Sequence, residues 1–224
     1  MPLILLLVEC GIELIPTKIE SHPSIQRNLR KDNYSSKLLD NALHHSAMNK
    51  LENFEKRGRP DIIHNCLLNA LGSPLNKSGN LKLYIHTYHN KIYEINPVIK
   101  LTRNYNRFKG LMGKLLSENE LKFENLQLIS QFKGELKDLI NKFKKSDIMI
   151  LSTKGDLIKY QDLLFEKDIT NNYIIIIGGF QKGFFSPKTL ELSKKLISIS
   201  NYALDAWVVV NKVISLYEIA NDIL

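Results

Sequence analysis

The sequence predicts an α/β fold: a parallel sheet with helices on both faces. Three observations carry that prediction. From about Asp147 onward, the apolar runs DIMILS, YIIIIG and KLISIS alternate with helical patterns, as strands buried on both faces require. The N-terminal run PLILLLVE reads as a further buried strand. Finally, IIIIGGFQKGFF at 174–185 empties a strand into a glycine-rich turn, a device by which many α/β proteins grip a phosphate or nucleotide-like cofactor. A doubly wound dinucleotide domain places that turn after its first strand, whereas here it lies near the C-terminus. Any cofactor is therefore held by the end of the chain, which must fold back on itself.

The elements follow in order. Residues 3–10 form the first strand, and the polar stretch 17–34, with QRNLRKDN, reads as an exposed excursion. Leu38, Leu39, Ala42, Leu43, Met48 and Leu51 have helical spacing and predict a helix from Ser36 to about Asn53. After the loop EKRGR, Pro60 occupies a first-turn position, and DIIHNCLLNAL runs as a helix stopped by Gly72. LKLYIHTY and KIYEI flank the turn-prone His89-Asn90 and predict a hairpin. NPVIKLTRNYNRF is an extended basic loop leading into a helix around GLMGKLL, with a strand at 125–131 and a helix at 132–144. Next come DIMILS as a strand, DLIKYQDLLFEK as a helix and YIIIIG as a strand. Ser186-Pro187 supplies the N-cap and first position of a short helix, KLISIS is the last strand, and Ala203 to Ile219 is the closing helix.

Composition narrows the function classes. With 224 residues, 44% hydrophobic, the chain is long enough for one sizeable core or two small lobes. A formal net charge of +8 favours a polyanionic partner, most simply nucleic acid, although a lysine-rich surface alone also accounts for it. Cys10 and Cys66 match no zinc spacing and read as buried thiols of a reducing compartment. The N-terminal apolar run is too short to span a bilayer, so a cytoplasmic protein is expected. His44-His45 lacks a third ligand at sensible spacing, and no metal is expected.

Three constellations carry chemistry. In KRGRPDIIH, Arg57 and Arg59 flank a glycine, and Asp61 sits in the first turn of a helix, where the dipole alone favours a carboxylate. The sharper reading has Asp61 orienting the Arg59 guanidinium to clamp a phosphate or base edge. His64 reads as a hydrogen-bonded structural histidine. In KLTRNYNRFKGLMGKLL, Lys100, Arg103, Arg107 and Lys109 interleave with Tyr105 and Phe108. Such a pattern suits RNA, and equally a solvated helix start with its aromatics in the core. The third constellation is LST (151–153), GGFQKG (178–183) and ISNYAL (199–204), each following the carboxyl end of a strand, where open α/β sheets bind ligands. Gly178, Gly179 and Gly183 allow close backbone approach. The closing helix, with Leu204, Trp207, Val208, Val209, Val210, Val213, Ile214 and Tyr217, is apolar over more than one stripe and predicts burial against two surfaces, one a partner subunit.

RGRPDIIH, the segment INPVIKLTRNYNRFKGLM, and GGFQKG followed by ISNYAL resemble the ribosome-biogenesis methyltransferases that modify N1 of a pseudouridine in small-subunit rRNA, members of the SPOUT class. The resemblance runs in order from about residue 51 to the C-terminus. It implies one SPOUT-type α/β domain over 1–224 with a C-terminal trefoil knot and a family-specific hairpin and helix insertion at 73–130. It implies rRNA contacts at Arg59, Lys100, Arg103 and Arg107, with Asp61 stabilising Arg59. It further implies S-adenosylmethionine as cofactor, contacted by Leu151, Gly178, Gly183 and Ile199, Ser200, Asn201, Tyr202, Ala203 and Leu204. Partners implied are small-subunit rRNA, a second copy in a homodimer, and ribosomal proteins during assembly, with no membrane. The family commonly has arginine where Lys100 stands. It often has an acidic residue where Phe184 stands, so that position supplies no proton acceptor. Two rival readings are an rRNA-binding assembly factor in which methyl transfer is secondary or absent, and a Rossmann-type nucleotide enzyme. The late glycine loop and the misfit of GGFQKG to G-x-G-x-x-G disfavour the latter.

Overall fold

β1 (Leu3–Cys10) is apolar at almost every position because both of its faces are covered, and all of its residues are buried. In the computed structural model, which describes residues 2–30, 32–143, 145–159 and 172–223, β1 is followed by three single-turn helices, α1 (Thr17–Glu20), α2 (Pro23–Gln26) and α3 (Tyr34–Lys37). Then come α4 (Asn41–Met48), α5 (Pro60–Gly72), α6 (Pro74–Lys77), and the hairpin β2 (Leu81–Thr87) and β3 (Ile92–Ile95). The chain continues through α7 (Tyr105–Glu118), β4 (Glu120–Phe123), β5 (Leu126–Phe132), α8 (Leu136–Asn141) and β6 (Ser146–Leu157). It ends in β7 (Asn172–Gly178), α9 (Pro187–Leu190), β8 (Lys195–Ser198) and α10 (Ala206–Ala220).

The strands form one 8-stranded sheet in the order β4-β5-β3-β2-β1-β7-β6-β8. From β2 to β8 every pairing is parallel, and β3, β5 and β4 extend the sheet antiparallel beyond β2. Alternation along β1 divides the interior. Leu3, Leu5 and Leu7 join Ile62, Ile63, Leu67, Met112, Val210 and Ile214 under α5, α7 and α10. Ile4, Leu6 and Val8 join Ile150, Ile174, Ile176, Leu139 and Ile140 on the face that α8 covers. The predicted α/β architecture, with helices on both faces, is therefore present.

Several boundaries differ from expectation for local reasons. The excursion at 17–34 is not wholly exposed: Ile19 and Ile25 bury with Leu39, Ala47, Met48 and Leu51 in a small separate cluster. The helix expected from Ser36 begins only at Asn41, because Leu38 bridges Leu14 in extended backbone and Asp40 caps α4 through the Ala42 amide. Asn104 caps α7 by accepting from the Arg107 amide, which moves Tyr105 to Phe108 out of the expected loop and into the helix. The helix expected at 132–144 starts at Leu136, where the Asp138 carboxylate accepts from the Glu135 amide. β4 has no counterpart among the expected elements. Of the helix expected over DLIKYQDLLFEK, Asp156 and Leu157 belong to β6, and 160–167 lie outside the described residues. No helix among the described residues is long and apolar enough to cross a membrane.

Candidate active site

The site begins where β6 meets β8 twice. Leu151 pairs with Ile197, the chain then makes an excursion, and Asp156 returns to pair with the same Ile197. The Ile158 amide goes on to donate to the Ser198 carbonyl at 3.0 Å. Residues 152–155 thus loop tightly around β8. A Cβ on Gly155 would lie 2.4–2.6 Å from the Ile197 backbone, so only glycine fits there.

That loop, the turn after β7 and the turn after β8 enclose a cleft of about 330 Å³, within the range of small-molecule sites. β6 contributes Leu151, Ser152 and Thr153; β7 and its turn contribute Ile177, Gly178 and the run from Phe180 to Phe185. β8 and the following turn add Ser198, Ile199, Ser200, Tyr202, Ala203 and Leu204, and Val209 of α10 closes the floor. Eight of the nine residues expected at the cofactor line this cleft. Asn201 does not; it is exposed on the same turn. The turn is ordered from within, since the Ser198 hydroxyl donates to the Ser200 carbonyl and the Tyr202 amide to the Ser200 hydroxyl.

The glycines divide by role. Gly178 and Gly183 line the cleft, and Gly183 has φ 104°, which favours glycine. Gly179 faces the core instead: a Cβ there would meet Cys10 Sγ at 2.5 Å and Ile63 at 2.7 Å. Cys10 and Cys66 are both buried free thiols, as expected, and burial pushes both up from their usual range.

Sequence reasoning missed what ties the cofactor-side turn to the arginine. The Gly11 amide donates to the Gly179 carbonyl at 3.0 Å, and the Arg59 amide donates to the Gly11 carbonyl at 2.8 Å. Beside this staple stands Glu9, buried and with φ 51°. Its carboxylate accepts from Lys56 Nζ at 2.6 Å, the Ser186 amide at 2.8 Å and the Thr189 hydroxyl at 2.7 Å. Burial alone would raise the Glu9 pKa, but these donors outweigh it and hold the carboxyl below its usual value. Lys56 in turn lies over the Phe180 ring and against Gly183. The signal available in the sequence was a carboxylate closing an otherwise apolar strand.

Arg59 caps α5, and its fork meets Asp61 at both oxygens, Nε to Oδ1 at 2.8 Å and Nη2 to Oδ2 at 2.6 Å. Asp61 is the main influence raising the Arg59 pKa. Nη1 and one Nη2 hydrogen remain for a ligand. Lys100, Arg103 and Arg107 are exposed, and their side chains make no ion pair among the described residues. Other basic residues of these segments are committed elsewhere. Arg57 forks onto buried Glu13, and buried Lys109 pairs with Asp40 at 2.9 Å. The aromatics are not stacking platforms: Phe108 is in the core, and the Tyr105 hydroxyl donates to Asp40 at 3.2 Å. His64 is buried, stacked on Phe108 and 2.8 Å from the Thr102 carbonyl through Nε2, a structural placement. His45 contacts Asn41, His44 keeps one buried ring nitrogen without a partner, and no metal-binding group occurs among the described residues.

The EMG1/NEP1 methyltransferase profile matches residues 5–218. The chain is 40% identical over 216 residues to "Ribosomal RNA small subunit methyltransferase Nep1" of Staphylothermus marinus, covering 95% of this chain and 94% of that protein. It is 39% identical to the Pyrococcus furiosus protein of the same name, covering 96% and 95%. The crystal structure of Archaeoglobus fulgidus Nep1 bound to S-adenosylhomocysteine superposes with a TM-score of 0.84 at 34% identity, covering 99% of this chain and 100% of that one. The chain belongs to the EMG1/NEP1 methyltransferase family.

Proposed function

We propose that this protein is an S-adenosylmethionine-dependent methyltransferase of small-subunit rRNA that acts on N1 of a pseudouridine, as a homodimer in the cytoplasm during ribosome assembly. One observation carries the reading: a cleft at the carboxyl ends of β6, β7 and β8 is joined by the Gly11 staple to an arginine whose fork Asp61 holds in place.

The residues present fit the cofactor. Leu151, Ile177, Ile199 and Leu204 offer apolar walls to an adenine, and Gly183, at φ 104°, supplies the backbone turn along one side of the cleft. When bound, the sulfonium supplies an already activated methyl group. The chain's part is positioning and electrostatics. The turns exclude water, and Arg59 offers its free N–H groups to the charge that develops on the base. Lys100, Arg103 and Arg107 neutralise phosphates on either side of a flipped nucleotide. Half-exposed Trp207 and Val208, with exposed Ile219, leave an apolar surface on α10 that a second copy would cover. Knotting of the C-terminal segment belongs to this reading, and the double pairing of β6 with β8 supports it.

The test is methyl transfer from labelled S-adenosylmethionine to a small-subunit rRNA stem-loop carrying pseudouridine or uridine. Transfer to the pseudouridine RNA alone is expected. Tight RNA binding without transfer would instead favour the assembly-factor reading, and absence of both would overturn each. Arg59→Ala and Arg103→Ala are each expected to weaken RNA binding with cofactor affinity intact. Arg103→Ala should also lower the salt slope by roughly 0.7 to 0.9 for each phosphate no longer neutralised, whereas Arg59→Ala, which loses a contact to the base, should leave the slope in place. Titrations at several salt concentrations check this, and unchanged affinity in either variant, or an unchanged slope in Arg103→Ala, would remove that residue from its assigned place in the RNA site.

A further inference from the structure

The proposed reaction needs a group to receive the N1 proton, and no residue lining the cleft carries a carboxylate or an imidazole. Among the nearby carboxylates, Glu9 is committed to Lys56, Ser186 and Thr189, Asp61 with both oxygens to Arg59, and exposed Asp156 stands between Gly155 and Leu157, neither of which lines the cleft. Asp205 is different. It stands between Leu204 and Ala206, both of which line the cleft, and it is exposed. It occupies the N-cap of α10 with φ −62° and ψ 144°, a position where aspartate ordinarily accepts from the helix amides. Its side chain makes no such bond. Only its carbonyl does, accepting from the Val208 and Val209 amides. α10 packs on α5, whose N-cap is Arg59. Asp61 is the main influence favouring the charged form of that guanidinium against its burial, with Tyr105 and Asp205 contributing in the same direction.

We infer that Asp205 is a catalytic and specificity residue: its carboxylate accepts a hydrogen bond from N1–H of the flipped pseudouridine and takes that proton during methyl transfer. The inference rests on the pseudouridine N1 reading above. Uridine presents C5–H where pseudouridine presents N1–H, so an acceptor at this point distinguishes the two bases by the group that differs. The step balances. The N1–CH3 bond forms as the methyl–sulfur bond breaks, with that electron pair staying on sulfur. The N1–H pair returns to nitrogen, and the proton passes to Asp205 Oδ. Because N1 becomes strongly acidic as it is alkylated, a carboxylate of ordinary basicity suffices.

Two measurements on the full chain test the inference. One is the binding of cofactor-free protein to stem-loops carrying pseudouridine or uridine. The parent is expected to prefer pseudouridine by roughly tenfold, the worth of one hydrogen bond to a charged group, and Asp205→Ala to lose that preference. The other is single-turnover methyl transfer. Asp205→Asn is expected to slow it by about 100-fold or more, with affinity for the cofactor and for the uridine stem-loop unchanged, and Asp205→Glu to recover part of the rate. Parent-like transfer in Asp205→Asn, or a retained pseudouridine preference in Asp205→Ala, would overturn the inference alone. If the parent transfers to neither RNA or to both alike, the N1 reading fails and the inference falls with it.

Discussion

Gly155→Ala is expected to disable the cofactor cleft. The added methyl would lie 2.4 Å from the Ile197 nitrogen and 2.6 Å from its Cα and carbonyl carbon, all backbone atoms that cannot rotate away. Relief requires β8 to separate from the excursion of β6, and Leu151, Ile199 and Ser200 line the cleft on those two segments. Overpacking typically costs about 1–3 kcal/mol, and a clash with backbone belongs at the upper end. About 3 kcal/mol lost from the bound geometry corresponds to roughly a hundredfold weaker cofactor binding. Calorimetric titration with S-adenosylhomocysteine would measure it. Gly72→Ala is the matching control, because a Cβ there meets nothing within 4 Å. Parent-like affinity in Gly155→Ala would show that the excursion yields easily and that the double pairing does not shape the site.

What the sequence made legible follows from how each feature is encoded. A strand covered on both faces must be apolar at consecutive positions, so 3–10 and YIIIIG at 173–178 declare themselves, and the turn after the second of them marks the cleft. The Arg59–Asp61 fork is written within three residues and could be read directly. Features encoded by distant partners could not. Lys109 and Tyr105 look like RNA contacts until Asp40, 69 and 65 residues away, is folded against them. Lys56 gains its meaning from Glu9, 47 residues earlier. Gly179 resembles a ligand-facing glycine in a Gly-Gly pair, and only the packing of Cys10 and Ile63 shows that it belongs to the core. Charge therefore overstates the RNA surface, since ion pairs drawn from elsewhere in the chain withdraw three of its basic residues.

Glu13→Ala is expected to be the most destabilising single change outside the hydrophobic core. Arg57 donates Nε to Glu13 Oε1 at 2.7 Å and Nη2 to Oε2 at 2.6 Å, and His89 Nε2 donates to Oε2 at 3.0 Å. The Glu13 side chain is fully buried and that of Arg57 is 8% exposed, with its guanidinium over the Tyr88 ring. The pair as a whole need not stabilise the fold, because desolvation offsets much of its attraction; removing one member leaves a buried cation uncompensated, at about 3–5 kcal/mol. Burial alone would raise the Glu13 pKa, yet the hydrogen bonds from Arg57 and His89 prevail and hold it below its ordinary 4.5. A depressed folded pKa means that the ionised carboxylate stabilises the fold fully above pH 4.5 and that this share is lost as pH falls through the folded value. Urea unfolding of parent and variant should therefore show a gap that is constant near neutrality and narrows in acid. A gap under about 1 kcal/mol at pH 7 would mean that water reaches Arg57 once Glu13 is gone. Because Arg57, Gly58 and Arg59 are consecutive, a loosened Arg57 should also weaken the backbone hydrogen bond from Arg59 to Gly11, and RNA affinity should fall with stability.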